Sequence, residues 1–564
     1  MWLLMLLTVV TTDSAAALAA ARAAQADFEL VRLRYLPQLR GSVGGACDEV
    51  VGRFCFWHGD DDDYTPPAEH PRIRDARARL IAELDSLRAV LPGDEWIVGQ
   101  HVRYLVEAGR LEPALQAATE CHSVRWWCAA LAGYALHVAQ SYDAADSAFA
   151  VATSLMNEAE RCAWDDLSQV LEEQPRNYGT SHCGERRAIE ARIWWLGDPL
   201  YLTPGNERRT EHYARRVMNR LQDHARSAYD VRWGSDLNEL LLRYGWPISW
   251  ERDDFTRPFD PIRARIISHN APRPRAFLPP RRLLEHPEEI TLEAWDIHPD
   301  RPRSNYAPAY AQVVEPIDDA QVAAFPRGRE MVVVAAFETP RGDGRRQAMA
   351  GDSNAAVDQR TGALVFTADP SARPVMSRAE GTEPFRLAVT VPHRAGLVSL
   401  EVMVGTDTVR AARGRLWLHV SDELTVSGPL LFDISPQDSL PGTLEAVVGL
   451  VRPTPAARPA EGIGVYWEVA DWGPEAVLAR FALTVTRTGE GWLKRFARAI
   501  RVAKAERPSV SLSWEEALPG GAQYYPRALA VGLPEGQPGS YLLRIEVRVA
   551  DRMAAGDRRV EVGW

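Results

Sequence analysis

Apolar residues recur at every third or fourth position in the first part of the chain, and this spacing predicts amphipathic helices. The recurrence is regular between Ile73 and Met156, as in Leu80, Leu84 and Leu87. Segments 106–114 and 137–145 resemble each other, and each predicts a turn between two helices. The pattern therefore predicts a stack of helical hairpins.

Small and aromatic residues around these two turns resemble the interlocking positions of tetratricopeptide repeats. The positions concerned are Trp96, Tyr104, Gly109, Ala114, Gly133, Tyr134, Tyr142, Ala145 and Phe149. The resemblance implies a concave surface for a peptide or partner protein. A helical hairpin stack without a ligand-binding role is the alternative interpretation.

Short apolar runs separated by Gly and Pro turns replace the helical spacing in the second half of the chain and predict strands. The runs lie at 331–337, 362–366, 385–389, 397–402, 446–451, 464–469, 482–486 and 510–514, with a final hairpin from 539–547 to 559–562. We interpret them as two successive antiparallel β-sandwiches of the immunoglobulin-like type. Before them, the Pro- and Arg-rich segment 258–310 predicts an extended connector that acts as a semi-rigid spacer or lies across its neighbours.

The first residues suggest export. An apolar run, Trp2–Val10, is followed by small residues that include Ala24 and Ala26 around a fitting cleavage position. This is the pattern of a signal peptide, although the Ala-rich stretch up to Ala26 also suits the start of a mature helix. No later apolar stretch is long enough to span a bilayer, so we expect a soluble, periplasmic or secreted protein.

Six cysteines, all in the first third of the chain, fit an oxidising compartment. Sequence alone permits 15 disulfide connectivities for six cysteines. Proximity favours three pairs, and free buried thiols are the alternative. The favoured pairs are Cys47 with Cys55, Cys121 with Cys128, and Cys162 with Cys183.

The net charge of −11 is spread along the chain without a long block of one sign, which argues against nucleic-acid binding. No Gly-x-Ser-x-Gly, P-loop or dinucleotide fingerprint occurs in the sequence. The common hydrolase, nucleotidase and dehydrogenase classes are therefore disfavoured. We expect no cofactor, and Cys-x-x-Cys pairs typical of structural zinc are also missing from the sequence.

The segment between Gly184 and Asp254 resembles the bacterial GWxTD domain, a family without an assigned activity. Trp194–Pro199 and Thr203–Glu207 match its lead-in, and Arg232–Asp236 matches its naming motif with Arg and Ser in place of Gly and Thr. Leu240–Pro247 resembles the apolar strand and the turn that follow. The residues carried over from the family are Asp198, Pro204, Asn206, Glu207, Glu211, His212, Trp233, Ser235, Asp236, Gly245 and Pro247.

The chain is thus predicted to be a multi-domain protein, α then β: a helical, TPR-like region precedes a small mixed α/β GWxTD-like region and two antiparallel, Ig-like β-sandwich domains. The predicted boundaries are a signal peptide at 1–26, the helical region at 27–183, the GWxTD-like region at 184–257, the linker at 258–310, and sandwiches at 311–424 and 425–564.

Within the GWxTD-like region, Thr203-Pro204 predicts a helix start, because Thr can cap an orphan amide and Pro suits the first helical position. The helix should end near Asp223. The run Leu240–Leu242 is short enough for a buried strand that ends at the Gly-Pro turn.

Glu207, Glu211 and His212, with Asp236 and Asp198 as further members, are the candidates for a catalytic or metal-binding cluster. Their spacing matches no helical metal motif, and salt bridges are the competing interpretation.

Two other charged segments have two interpretations each. The acidic run Asp60–Asp63 suits either calcium or a solvated turn. The basic segment Trp492–Arg501 suits either a membrane surface or a connection that covers a sheet edge.

Three functions follow as hypotheses. The leading one is a non-enzymatic binding or scaffold protein of the bacterial cell envelope, whose partners are other envelope proteins or cell-wall material. The second is a hydrolytic or processing enzyme that uses Glu207, Glu211, His212 or Asp236. The third is a carbohydrate-binding β-sandwich protein, which requires an exposed row formed by Trp467, Trp472 and Trp514.

Overall fold

The computed structural model describes residues 2–39, 46–59, 62–253, 266–339, 360–405, 410–434, 439–458, 462–488, 510–532 and 538–563. The chain divides into two compact units. Unit 1 comprises residues 1–285 and 296–313, and unit 2 comprises residues 286–295 and 314–564. Helices predominate in unit 1 and strands in unit 2, which confirms the predicted order of α followed by β.

The helices of unit 1 are α1 (Trp2–Tyr35), α2 (Pro71–Val90), α3 (Glu95–Glu107), α4 (Leu111–Thr119), α5 (Arg125–Val138), α6 (Tyr142–Leu155), α7 (Glu158–Asp165), α8 (Cys183–Gly197), α9 (Glu207–Gln222), α10 (Ser235–Tyr244) and α11 (Arg281–Glu285). Two antiparallel hairpins accompany them, β1 (Glu49–Val51) with β2 (Phe54–Phe56), and β3 (Ser249–Arg252) with β4 (Ile266–His269).

The helices α3 to α6 form the predicted pair of hairpins. Their turns use left-handed backbone at Gly109 and Gln140, with φ of 70° and 59°. At Gly133 on α5 an added Cβ would meet the ring of Phe149 on α6 at 2.9 Å, so only glycine permits this close approach. The sequence pattern of small and aromatic residues therefore reflects helix packing.

Helix α1 continues without interruption through the position where a leader cleavage was predicted. Gln25 donates to the Tyr104 hydroxyl and to the Arg226 carbonyl, both at 2.9 Å, and accepts from the Arg226 amide. Ala21 and Phe28 belong to the main hydrophobic core of unit 1. Cleavage after Ala26 would therefore remove Ala21 from this core together with the hydrogen bonds of Gln25.

Three disulfides join the cysteine pairs that proximity favoured, Cys47–Cys55, Cys121–Cys128 and Cys162–Cys183. Disulfides of this number indicate a non-cytoplasmic compartment. No helix in the described part of the chain is long and apolar enough to cross a membrane.

Two segments predicted as strands are helices. Leu240–Leu242 lies in α10, where Leu237, Leu241 and Leu242 are buried at helical spacing and Gly245 ends the helix with φ of 91°. Segment 446–451 overlaps α12 (Leu444–Val448), which Thr443 caps by accepting from the Ala446 amide. Short apolar runs do not separate a buried strand from a buried helix, and here the caps decided the outcome.

The start of α9 also differs from the prediction, because Asn206 and not Thr203 is the capping residue. The Asn206 side chain accepts from the Arg209 amide at 2.8 Å. Pro204 lies in the preceding turn, where Gly205 adopts φ of 86°. The helix ends at Gln222, close to the predicted end.

The described part of the Pro- and Arg-rich segment is folded into the two units and does not form a free spacer. Phe277, Leu283 and Ile297 are buried in unit 1, and Ile290 and Trp295 are buried in unit 2. The prolines limit regular structure to short elements, but enough apolar side chains remain to pack.

Unit 2 contains the strands β5 (Val313–Pro316), β6 (Ala320–Arg327), β7 (Glu330–Phe337), β8 (Arg360–Thr367), β9 (Val375–Gly381), β10 (Phe385–Pro392), β11 (Gly396–Val404), β12 (Arg410–Leu418), β13 (Thr425–Val426), β14 (Leu430–Phe432), β15 (Ala456–Ala457), β16 (Gly462–Ala470), β17 (Val477–Arg487), β18 (Val510–Leu518), β19 (Tyr524–Gly532), β20 (Gly539–Val549) and β21 (Arg552–Val562).

These strands form four sheets. Their orders are β10-β7-β6, β5-β12-β11-β8-β9, β13-β16-β14 with β19 also paired to β16, and β15-β21-β20-β17-β18. The first two sheets share one apolar core and the last two share another. A third cluster joins the other face of β7 to β14 and β16, so β7 is buried on both faces. This explains why its sequence is a continuous apolar run.

Candidate functional site

Glu207, Glu211 and His212 on α9 bind different partners, and His212 points about 100° away from Glu211 because the two are adjacent in the helix. Glu207 is buried and accepts a hydrogen bond from the Tyr310 hydroxyl. His212 is buried, and its Nε2 lies 3.0 Å from the Trp164 carbonyl. Glu211 binds His137 and Arg215. The predicted cluster is therefore not assembled by these three residues.

Asp236 lies in a separate place, at the start of α10. Its carboxylate receives two hydrogen bonds from the Arg53 side chain, at 2.6 and 2.8 Å. These hydrogen bonds lower the pKa of Asp236 to about 2. The neighbouring motif residue Trp233 donates from Nε1 to Asn219 at 2.7 Å. Trp233 and Asp236 thus connect the start of α10 to α9 and to the β1–β2 turn.

The remaining motif residues have local roles. Ser235 is the first residue of α10 and Gly245 ends it. Asp198 is buried at the end of α8. Pro247 and Gly245 line a cavity to which the helical hairpins also contribute.

This cavity, of about 470 Å³, lies within unit 1 and is open to the outside. Its apolar wall is unusually aromatic, with Tyr134, Tyr142, Tyr244, Trp246, Trp250 and Tyr306. Its charged and polar wall consists of Arg103, Glu107, His137, Glu211 and Arg215. A cavity of this size, with an apolar wall and a few convergent polar groups, is typical of a small-molecule site.

Glu211 is the centre of the polar wall. Its carboxylate lies 2.6 Å from Nε2 of His137 and 2.7 Å from Nε of Arg215. Burial opposes its ionisation, but the charge of Arg215 and the hydrogen bond from His137 outweigh burial and hold the pKa of Glu211 well below its usual range. Glu211 is therefore a fixed negative charge.

The partners of Glu211 are themselves held in place. Arg215 donates to the carbonyls of Leu242, Arg243 and Asn305 at 2.9 to 3.1 Å. Nδ1 of His137 lies 2.9 Å from the Thr210 hydroxyl. Both ring nitrogens of His137 are thus engaged by protein partners.

The other two charged residues of the cavity lining, Arg103 and Glu107, belong to a buried network. Glu107 binds Arg77 at 3.1 Å and also contacts Arg32. Burial opposes its ionisation, but these arginines lower the pKa of Glu107. The Arg103 guanidinium lies over the Trp246 ring, 5.5 Å from its centroid. The network fixes both the charge and the aromatic surface of this wall.

The Tyr134 hydroxyl is a polar group of the cavity lining without a protein partner. Tyr134 is 6% exposed, lines the cavity, and makes no hydrogen bond with any residue that the structure describes. Burial raises its pKa, so it remains a neutral donor and acceptor.

The other predicted sites add no further candidate site among the described residues. Asp62 and Asp63 lie next to Arg273, while Asp60, Asp61 and the basic segment Trp492–Arg501 lie outside the described residues. Among the described residues, no three His, Cys, Asp or Glu side chains are grouped to hold a metal ion. Trp467 and Trp472 are buried, so the exposed row required for a carbohydrate surface is not formed by them.

Sequence reasoning found Glu211, Gly245 and Pro247 but missed His137, Arg215 and Tyr134 as members of a site. Tyr134 was noted only as a packing residue of the helical hairpins. A single histidine or tyrosine in a helix carries no spacing signal, and only the tertiary packing brings α5, α9 and residues 306–309 together.

No protein-family model and no curated protein matches the chain. Among solved structures, the chain is similar to a Paenibacillus cycloisomaltooligosaccharide glucanotransferase, with 14% identity over 19% of this chain and 13% of that chain and a TM-score of 0.15. It is also similar to red sea bream transglutaminase, with 10% identity over 44% of this chain and 31% of that chain and a TM-score of 0.14.

A third similar structure is the Bacteroides uniformis β-glucuronidase, with 10% identity over 42% of this chain and 27% of that chain and a TM-score of 0.20. The matched part of this chain thus spans less than a third of the length of each of these proteins. TM-scores this low support no inference about function.

Proposed function

We propose that the chain is an exported, non-enzymatic binding protein of the bacterial cell envelope, and that it holds a small molecule in the cavity of unit 1. In this proposal the helical hairpins are a TPR-like element, α9 and α10 belong to a GWxTD-like region, and the sheets of unit 2 are two Ig-like sandwiches. The three disulfides support a periplasmic or secreted location.

The observation that carries the proposal is the unpaired Tyr134 hydroxyl in a preformed aromatic cavity. Buried polar groups are normally hydrogen-bonded, so an open hydroxyl on the wall of a cavity is suited to a ligand. The charged groups around it are already positioned by protein partners. Binding would therefore require little rearrangement, which favours affinity.

The same contacts disfavour the competing enzyme hypothesis. Glu207, Glu211, His212 and Asp236 each bind a different protein partner. The proton-transfer groups next to the cavity, His137 and Glu211, bind each other and further residues. We therefore favour binding over hydrolysis. Contacts of unit 2 with envelope proteins or cell-wall material remain part of the proposal.

The test uses 2-phenylethanol as a neutral probe whose ring and hydroxyl suit the aromatic wall and Tyr134. Saturable binding to the full chain, measured by ligand-observed NMR, is expected. Tyr134→Phe should weaken it about five-fold, since one hydrogen bond is lost. The control is Tyr178→Phe, because that buried hydroxyl bonds Leu167 and Glu190 away from the cavity.

The control variant should bind the probe as the natural protein does. No saturable binding, or equal binding by the natural protein and Tyr134→Phe, would contradict the proposal.

A further inference from the structure

Arg208 is a buried arginine without a protein partner. The residue is 0% exposed, and none of its three guanidinium nitrogens donates to an acceptor in the described part of the chain. Its neighbour in sequence, Glu207, accepts instead from Tyr310. A buried charge is normally paired, so an isolated guanidinium calls for an explanation other than stability.

The position of Arg208 connects it to the cavity. Arg208, Glu211 and Arg215 follow one another at helical spacing along one face of α9. The charges of Arg215 and Glu211 and the phenol of Tyr306 all act on Arg208. These three residues line the cavity. Arg208 therefore lies close behind the wall that they form.

The charged residues that line this wall are paired with other residues. Glu211 is already bound by Arg215 and by His137. On the other side, Arg103 pairs with Glu29, and Glu107 pairs with Arg77 and Arg32. Arg208, in contrast, forms no ion pair and no hydrogen bond with any described residue. In a poorly solvated site such a charge acts strongly on whatever enters.

We infer that the ligand of this cavity is a small organic anion, with a carboxylate directed toward the Arg208 end of α9 and an aromatic or apolar body against the tyrosine and tryptophan wall. This inference rests on the proposed function, because it names the chemical class of the molecule bound at the same site. A carboxylate would supply the missing counter-charge, and Tyr134 would donate to it or to a neighbouring oxygen.

The experiment compares three probes of nearly equal shape, phenylacetate, 2-phenylethanol and phenethylamine, on the full-length protein. We expect phenylacetate to bind at least ten-fold more tightly than 2-phenylethanol, and phenethylamine to bind most weakly. In Arg208→Met the preference for phenylacetate should disappear while the affinity for 2-phenylethanol is kept.

The matched control is Arg209→Met, which removes a positive charge from the next residue. Arg209 binds Asp146 at 2.7 Å and is partly exposed, so its loss should leave the preference for phenylacetate intact. Thermal unfolding of each variant establishes that it is folded before its affinities are compared.

The outcomes separate the two proposals. If 2-phenylethanol binds but phenylacetate binds no better, or if phenethylamine binds best, the anion inference is overturned and the binding function stands. If Arg209→Met abolishes the preference as completely as Arg208→Met, the assignment to Arg208 is overturned. If no probe binds, the proposed function itself is overturned.

Discussion

The interiors of the two units are built differently. The apolar clusters of unit 2 come from strands in which inward positions alternate with outward ones, as in β20 and β17. Unit 1 places charged side chains such as Glu29, Arg32 and Arg208 among its buried residues. Among the described residues, unit 2 buries fewer charged side chains, such as Glu401 and Glu468. Burying charge costs stability, so we expect unit 1 to be more sensitive to changes of its charged residues.

The largest effect that tests this contrast is the loss of a buried charge partner in unit 1. Glu29 pairs with Arg32 at 3.2 Å and Arg103 at 3.6 Å and accepts from the Tyr104 hydroxyl. Glu29→Leu should lower the unfolding free energy of unit 1 by about 3–5 kcal/mol, because Arg103 loses its carboxylate and Arg32 keeps only Glu107.

Urea unfolding followed by hydrogen exchange in unit 1 measures the effect of Glu29→Leu. The control is Glu83→Leu at an exposed position of α2, which should change little. A loss below about 1 kcal/mol for Glu29→Leu would mean that the network contributes no more than surface ion pairs do.

The second test replaces two arginines of α9, and we expect opposite changes in the free energy of unfolding. Arg208→Met should raise the unfolding free energy by about 1–4 kcal/mol, because an unpaired buried charge is replaced by an apolar chain. Arg215→Met should lower it by about 3–5 kcal/mol, because Glu211 loses its partner. Denaturation curves of both variants measure this, and equal signs would refute the contrast between paired and unpaired charge.

A third effect concerns the disulfides, which lie in the first 183 residues. Replacing both Cys162 and Cys183 by Ala opens a loop with a sequence separation of 21. The loss should be about 3 kcal/mol, because the unfolded chain gains freedom. Chemical unfolding reports it, and a reductant should destabilise unit 1 while the unfolding of unit 2, which has no cysteine, stays unchanged.

The smallest effect is a change in pH dependence. Burial, aided by the charge of Asp165, raises the pKa of Glu190 from 4.5 to about 7. The folded state therefore keeps a proton that the unfolded state releases, and stability should fall as the pH rises between these two values. Glu190→Gln should remove this decrease.

Unfolding free energies measured at several pH values between 4 and 8 test this prediction. Glu112→Gln, the same change at an exposed position of α4, should leave the decrease in place. An unchanged slope in Glu190→Gln would show that another group is responsible.

The broad architecture could be predicted from the sequence because it depends on the local spacing of apolar residues. The turns at Gly109 and Gln140 and the hairpin of β20 with β21 lie where the pattern placed them. The strands predicted at Leu240–Leu242 and at 446–451 were wrong because a short apolar run suits either a strand or a helix. In both cases capping interactions decided for the helix.

The candidate site could be predicted from the sequence only in part. Glu211 stood out because carboxylates and a histidine cluster on α9, yet one of its two partners, His137, is far away in sequence. The unpaired state of Arg208 is a property of its three-dimensional surroundings. No spacing rule reports that a charged side chain lacks a partner, so this feature required coordinates.

The return of the chain to unit 1 at residues 296–313 has a consequence for proteolysis. Ser304 donates to the Val170 carbonyl, Arg303 binds Glu239, and Asn305 accepts from Arg215. A nick between residues 285 and 296 would give two fragments, and the C-terminal one would still carry a piece that completes the N-terminal one. We expect such fragments to remain associated by complementation, with the Tyr306 side of the cavity supplied in trans.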